Sequence, residues 1–293
     1  MSKVWLITGG ASGLGRNIAE AVLAMGDPLV ATARDPRRLE DLVQKYGHQI
    51  RTAPLDVADE EAAKAAVQFA VNAYGRLDVL VNNAGYGDIA PFEQLSPERF
   101  KAVMDTNFYG VVNLTRAALP IMRKQKSGVI LQVSSVGGRV TRPGNSPYHA
   151  AKWAVGGFTE SLAQEVAPFG VKLCALEPGG IRTNWGKRAN QNMPTLLPDY
   201  QPSVGAFANA YKSYWGNETS DPAKVAQVIL QLAYSNQLPA HLLLGSDAVQ
   251  HAARAEAARA ADAERWCDVS ISTDADTKAQ ANASARATAK ASA

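Results

Sequence analysis

Short apolar runs punctuate the chain at residues 4–7, 29–33, 49–55, 77–81, 128–133, 171–177 and 241–245. Helix-forming stretches lie between them at 16–25, 37–46, 60–74 and 148–169. Strands that alternate with helices through short connections predict an α/β class, with one doubly wound parallel sheet of about seven strands, helices on both faces and right-handed crossovers. Several helix starts are signposted. Asp35-Pro36, Ser96-Pro97-Glu98 and Asp221-Pro222 each place a capping side chain before a proline at the first helical position. The stretch 98–124 is too long for an unbroken helix, and Asn107 sits in its middle near Gly110. A bend that frees a carbonyl for a bound water is expected there. Residues 246–266 read as an added Ala-rich C-terminal helix. From 268 to 293 alanine alternates with small polar residues, which predicts a disordered tail and a single domain over 1–267.

At 293 residues, with 46% hydrophobic and 19% charged positions, the chain has the composition of a globular protein with a sizeable core. A formal net charge of +3, without basic clusters interleaved with aromatics, argues against nucleic acid and membrane surfaces as partners. The start MSKVWLITGG lacks the form of a secretory signal, and no run of about 18 apolar residues occurs, so a cytoplasmic location is expected. Cys174 and Cys267 are far apart and have no metal-type spacing. Neither a disulfide nor a metal site is expected.

Candidate chemistry gathers at the carboxyl ends of the strands. The first strand runs into Thr8-Gly9-Gly10-Ala11-Ser12-Gly13-Leu14-Gly15 and then a helix, the context in which a glycine-rich turn brings backbone amides against a pyrophosphate. A flexible surface loop would read the same way from the glycines alone. The second strand ends Ala33-Arg34-Asp35, with no acid for the adenosine ribose hydroxyls and a planar cation suited to a 2'-phosphate. Asp56 has two readings, an acceptor for an adenine amino group or a cap for the next helix. Asn82-Asn83-Ala84-Gly85 closes the fourth strand as a turn lining a crevice. Tyr148 and Lys152 stand four residues apart on one helical face, so an ammonium is available to lower the pKa of a phenol. Such a pair is common by chance and gains weight only beside the upstream glycine turn. Ser134 and Ser135, at the end of the fifth strand, offer a hydroxyl to the same reacting centre.

Together these segments resemble the short-chain dehydrogenase/reductase family in its non-extended, Rossmann-type form, over about residues 3–245. The motifs are TGGASGLG at 8–15, NNAG at 82–85, the N-x-Y-G headed by Asn107, Ser135 thirteen residues before Tyr148, YxxxK at 148–152, and the PG turn of Pro178 and Gly179 with Thr183. The resemblance implies a catalytic set of Asn107, Ser135, Tyr148 and Lys152. Tyr148 would be the general acid or base, Ser135 would hold the carbonyl oxygen, Lys152 would bind the nicotinamide ribose and depress the phenol pKa, and Asn107 would anchor a water. It further implies cofactor contacts from Gly9, Ser12, Gly13, Leu14, Gly15, Arg34, Asp56, Asn83, Ala84, Gly85, Tyr148, Lys152, Pro178, Gly179, Ile181 and Thr183. NADP(H) is expected over NAD(H), which remains usable. No basic residue precedes Gly13, where another NADP-preferring group of the family carries one.

Residues 184–217 occupy the place of the family's variable substrate loop and hold Trp185, Met193, Leu196, Leu197, Tyr200, Phe207, Tyr211, Tyr214 and Trp215. An apolar, fairly bulky carbonyl or alcohol substrate follows, although Phe207, Tyr211 and Tyr214 fit the inner face of a packed helix equally well. The added C-terminal helix and the PG segment look most like the hydroxysteroid-dehydrogenase-like branch. Family members pair through the helices holding Asn113 to Lys124 and His149 to Pro168, so a homodimer is expected, with a homotetramer as the alternative. The rival reading is a dinucleotide-binding regulator without catalysis; the complete Asn107, Ser135, Tyr148 and Lys152 set speaks against it.

Overall fold

The computed structural model describes residues 2–275. The chain forms two compact units, Met1–His251 and Ala252–Ala293, so the domain expected over 1–267 runs past the end of the first. In the first unit seven parallel strands form one sheet: β1 (Trp5–Ile7), β2 (Leu29–Ala33), β3 (Ile50–Pro54), β4 (Val79–Asn82), β5 (Gly128–Val133), β6 (Val171–Pro178) and β7 (His241–Leu244). Their order is β3-β2-β1-β4-β5-β6-β7, every neighbouring pair parallel. The order reverses between β1 and β4. Loops there diverge to opposite faces of the sheet and open a crevice at the carboxyl edge.

Period-two alternation along buried strands divides the core into two layers. Trp5, Ile7, Val79 and Val81 point to the face covered by α1 (Gly13–Ala24), α2 (Glu40–Tyr46) and α9 (Pro222–Tyr234). Leu6, Leu80 and Ile130 point to the face covered by α3 (Glu60–Tyr74), α5 (Gly110–Gln125) and α6 (Ser146–Val166). Because both faces are covered, β1, β2 and β4 are buried at every position, which is why they read as largely apolar runs, with Thr32 and Asn82 their polar members.

The long stretch is not one regular helix. α4 (Pro97–Met104) passes through one wide turn, Asp105–Tyr109, before α5 begins. A smaller apolar cluster forms over the carboxyl edge, where α7 (Trp185–Ala189) and α8 (Ala206–Tyr214) gather Ala189, Val204 and Ala208 around Ile89. α10 (Ser246–Arg265) begins in the first unit. In the second unit, α11 (Cys267–Ile271) is helical where the tail was expected to have begun, and the rest of that expected tail, from 276, lies outside the described residues. No described helix is long and apolar enough to cross a membrane.

Candidate active site

The two loops flanking the switch point are bolted to each other. Thr8 Oγ1 accepts from the amides of Asn83 (2.9 Å) and Ala84 (3.0 Å), and Asn83 Nδ2 donates back to Thr8 O at 2.9 Å. The Asn83 side chain therefore braces the glycine turn. A methyl group on Gly15 would stand 2.4 Å from both Asn83 Nδ2 and Gly9 O, so the turn closes only with glycine there. Ser12 occupies the cap position of α1, yet its side chain caps nothing. The first-turn amides of a 12-residue helix thus keep their capacity for an anion, with Arg188 Nη1 reaching Ser12 Oγ at 3.5 Å. This donor set fits a pyrophosphate.

At the end of β2, Arg34 is exposed and lines an open cleft of about 340 Å³ with Pro54, Leu55, Asp56, Asp59 and Ala62. Asp35 does not compete for it. That carboxylate accepts from Arg37 Nε at 2.8 Å and from the Arg37 amide, the capping role its Asp-Pro sequence predicts. Capping of α3 falls to Asp59, which accepts from the Ala62 amide at 2.9 Å. Asp56 instead closes a local turn onto the Ala58 amide at 3.0 Å and stays exposed at the cleft.

Across the switch point, α6 presents Tyr148 and Lys152 on one face. Lys152 is 4% exposed, its Nζ donates to Val133 O at 2.8 Å, and it lies 5.5 Å from the centre of the Tyr148 ring. Ser135, just beyond β5, lies near enough to the Tyr148 hydroxyl to pull its pKa down, and accepts from the Gly137 amide at 2.9 Å. Ser134 supports the helix instead, donating to Lys152 O at 3.2 Å. His149 straps the same loop down: Nδ1–H donates to Gly137 O at 2.9 Å while Nε2 accepts from the Arg142 amide at 2.9 Å. Burial holds its pKa below the ordinary histidine value.

Electrostatically the pair differs from expectation. Burial pushes the Tyr148 phenol up to about 12, against a smaller pull downward from Ser135, and burial pushes Lys152 down to about 8. Lys152 was expected to depress the phenol. Its ammonium instead sits under the ring and bonds the Val133 carbonyl, so desolvation dominates both groups.

Asn107 lies in the wide turn between α4 and α5. Its Nδ2 donates to Tyr86 O (2.7 Å) and Val103 O (2.9 Å), while Oδ1 is buried with no partner. The acceptor freed by the wide turn is thus this side-chain oxygen, since the amide of the same residue takes the loosened Val103 carbonyl. A methyl on Gly85 would meet Asn107 Oδ1 at 2.6 Å and Lys152 Nζ at 3.6 Å, which places the orphan acceptor and the ammonium around one point.

The turn after β6 supplies the opposite wall. Gly179 donates its amide to Leu244 O at 2.9 Å and Gly180 donates to Asp247 Oδ2 at 2.8 Å, fixing the segment that carries Pro178, Ile181 and Thr183. Thr183 packs beside Gly13, and its Oγ1 accepts from the Trp185 amide at 3.3 Å. The Trp185 ring lies tilted 5.0 Å from that of Tyr148. Phe207 stacks on Tyr211 at 5.6 Å, and Tyr211 contacts Tyr214 at 6.4 Å. Phe207 and Tyr211 pack, half-buried, against the Ile89 cluster, as the inner-face reading expects, and burial first and Tyr148 second raise the Tyr211 phenol.

The fold thus gathers Asn107, Ser135, Tyr148 and Lys152 at one end of the sheet, between the glycine turn and the turn after β6. Sequence reasoning passed over Asp247, Arg188, Gly87 and Asn145. Asp247 acts across 67 residues and has no local pattern to betray it. Asn145 did leave a signal, an asparagine at the start of the helix that carries Tyr148.

The short chain dehydrogenase family model matches residues 3–194. The chain belongs to this family. It is 46% identical over 274 residues to Oxidoreductase BOA17 of Botryotinia fuckeliana (strain B05.10), covering 93% of this chain and all (100%) of that one. Among solved structures, a short-chain dehydrogenase from Streptomyces avermitilis superposes with a TM-score of 0.86 at 38% identity, over 94% of this chain and 99% of the other. A short-chain dehydrogenase/reductase from Burkholderia phymatum in complex with NAD gives a TM-score of 0.73 at 26% identity, over 83% and 88% of the two chains. A metagenomic short-chain oxidoreductase in complex with NADP gives 0.67 at 25% identity, over 83% and 97%. A short-chain dehydrogenase fold accounts for the parallel sheet, its strand order and the crevice at its carboxyl edge.

Proposed function

We propose that this short-chain dehydrogenase is an NADP(H)-dependent oxidoreductase that interconverts a ketone or aldehyde and an alcohol, on an apolar and fairly bulky substrate. The observation that carries this reading is the contact set of Ser135, Tyr148 and Lys152, with the orphan Oδ1 of Asn107 beside the Lys152 ammonium. When bound, the nicotinamide supplies the hydride. Tyr148 keeps its proton up to about pH 12 and is the donor to the carbonyl oxygen in the reductive direction. Ser135 holds that same oxygen through its hydroxyl, and Lys152 Nζ holds the nicotinamide ribose. Asn107 Oδ1 anchors a water that passes protons from Lys152 toward solvent.

Cofactor grip is assigned to Gly9, Ser12, Gly13, Leu14 and Gly15 for the pyrophosphate, to Asn83, Ala84 and Gly85 for the crevice wall, and to Pro178, Gly179, Ile181 and Thr183 for the carboxamide side. Asp56 borders the adenine. Arg34, exposed at its cleft and not engaged by Asp35, meets the 2'-phosphate with a forked charge-assisted pair. Such a contact is worth roughly 1.5 to 3 kcal/mol, about ten- to a hundredfold in affinity. NADPH should be preferred to NADH by that factor. Assays with both cofactors should find the preference lost in Arg34→Ala and reversed in Ala33→Asp; an unchanged ratio in Arg34→Ala overturns the assignment. We also assign a homodimer paired through α5 and α6, which sedimentation showing a monomer at every concentration would reject.

A further inference from the structure

Asn145 stands directly before α6, at the position where asparagine ordinarily turns its side chain back to cap the helix. Its backbone is in place for that role, since Asn145 O accepts from the His149 amide at 3.0 Å. The side chain does not take it up. It caps nothing, the residue is 6% exposed, and Oδ1 is buried without a hydrogen-bond partner. A buried acceptor left open lowers stability in every folded molecule, so its persistence beside a reaction centre calls for a partner from outside the chain.

The surroundings say where that partner would lie. A methyl group on Gly87 would stand 3.4 Å from Asn145 Oδ1 and 2.9 Å from Trp185 Cζ2. Gly87 does not have a positive φ, so what its missing side chain permits is the close approach of the Trp185 indole. The amide oxygen and the indole edge converge beside the Gly87 backbone. The same indole lies 5.0 Å from the Tyr148 ring, and Asn145 is three residues from Tyr148 along the chain. Asn107 Oδ1 is another orphan oxygen near this centre, and it already has an assigned place beside Lys152.

We propose that Asn145 is a specificity-determining residue whose Oδ1 accepts a hydrogen bond from a hydroxyl or amine carried by the substrate a few bonds from its carbonyl, while Trp185 covers the apolar remainder. The substrate class is then a hydroxy- or amino-ketone, or the corresponding diol or amino alcohol. This deepens the oxidoreductase reading and rests on it. A neutral acceptor welcomes either donor but offers nothing to an ether, a halide or a carboxylate.

The test uses the full chain with NADPH and matched ketones: one bearing a hydroxyl near the carbonyl, its deoxy analogue and its methyl ether. The wild type should favour the hydroxyketone about tenfold in kcat/KM, the size of one hydrogen bond together with the acceptor it satisfies. Asn145→Leu, which keeps the branching at Cγ and removes the acceptor, should bring that ratio to about one. Asn145→Asp should retain the ratio and raise it further for the matched aminoketone. NADPH affinity, read by tryptophan fluorescence, should stay within about twofold in both variants, a readout independent of turnover. A ratio that survives in Asn145→Leu overturns the proposal, as does an equal loss on all ketones accompanied by lost NADPH affinity, the mark of a merely structural residue. A wild type that reduces all three ketones equally removes the role of Asn145 alone. One that binds NADPH and reduces none of them removes the oxidoreductase reading beneath it.

Discussion

Two buried polar clusters occupy opposite ends of the sheet, and they are built on opposite terms. At the amino end, Asp27 is 3% exposed and both of its oxygens are engaged: Oδ1 by Ser2 Oγ (2.9 Å) and the Lys3 amide (3.1 Å), Oδ2 by Trp5 Nε1 (2.8 Å) and the Tyr234 hydroxyl. At the carboxyl end, Asn107 Oδ1 and Asn145 Oδ1 are equally buried and engaged by nothing. Each cluster also holds a phenol whose pKa is raised: the exposed Tyr234, whose hydroxyl meets Asp27, in one and Tyr148 in the other. Tyr234 is locked further by a carboxylate that accepts its proton. Tyr148 faces a hydroxyl and an ammonium that leave its proton transferable. A satisfied cluster fastens the chain, whereas one with open valences receives something.

The comparison breaks most sharply at the two aspects it separates, turnover and stability. Tyr148→Phe should lower turnover by about 10²- to 10⁴-fold while shifting stability by no more than about 0.5 kcal/mol, with NADPH still bound. Retention of more than a few per cent of activity would remove Tyr148 from its role. Asp27→Ala should do the reverse, costing about 3 kcal/mol in urea unfolding, because Trp5 Nε1 and the Tyr234 hydroxyl lose their charged acceptor. If turnover per folded molecule fell as steeply as stability, the two ends would not be separable.

The smallest effect runs against intuition. Lys152, buried and lowered from 10.5 to about 8, is still charged at pH 7, so its desolvation weighs on the folded state. Lys152→Met should therefore stabilise the protein by about 1 to 3 kcal/mol at pH 7, taking 1.36 kcal/mol per pH unit less the lost bond to Val133. The sign follows from the depressed pKa. The wild type carries the full penalty below pH 8, recovers it as pH rises toward 10.5 and is free of it above, so the advantage of the variant should fade over that window. Unfolding measured at pH 7, 9 and 11 would show it. A constant difference would mean that the ammonium is well solvated.

Most of the fold was legible because strands covered on both faces must be largely apolar, and Trp5–Ile7, Leu29–Ala33 and Gly128–Val133 are, with only Thr32 and Gln132 polar among them. The catalytic side chains were legible because helical spacing puts Tyr148 and Lys152 on one face whatever surrounds them. Their electrostatics were not. Which effect sets a pKa depends on how deeply each group is buried and what its proton finds, and no spacing reports that Lys152 bonds Val133 O. Asp247 and Trp185 reach the site from later in the chain, through contacts that only the folded sheet creates.

The imidazole of His149 gives the site a timekeeper. Its Nε2 takes the Arg142 amide hydrogen while Nδ1–H holds Gly137 O, so a loop residue whose side chain is exposed has its amide locked to the helix that carries Tyr148. Deuterium can replace that hydrogen only while the loop and the helix are apart. The isotope uptake of a single backbone amide therefore counts how often this loop lets go of the helix that carries Tyr148, and it does so in an idle enzyme with no substrate present.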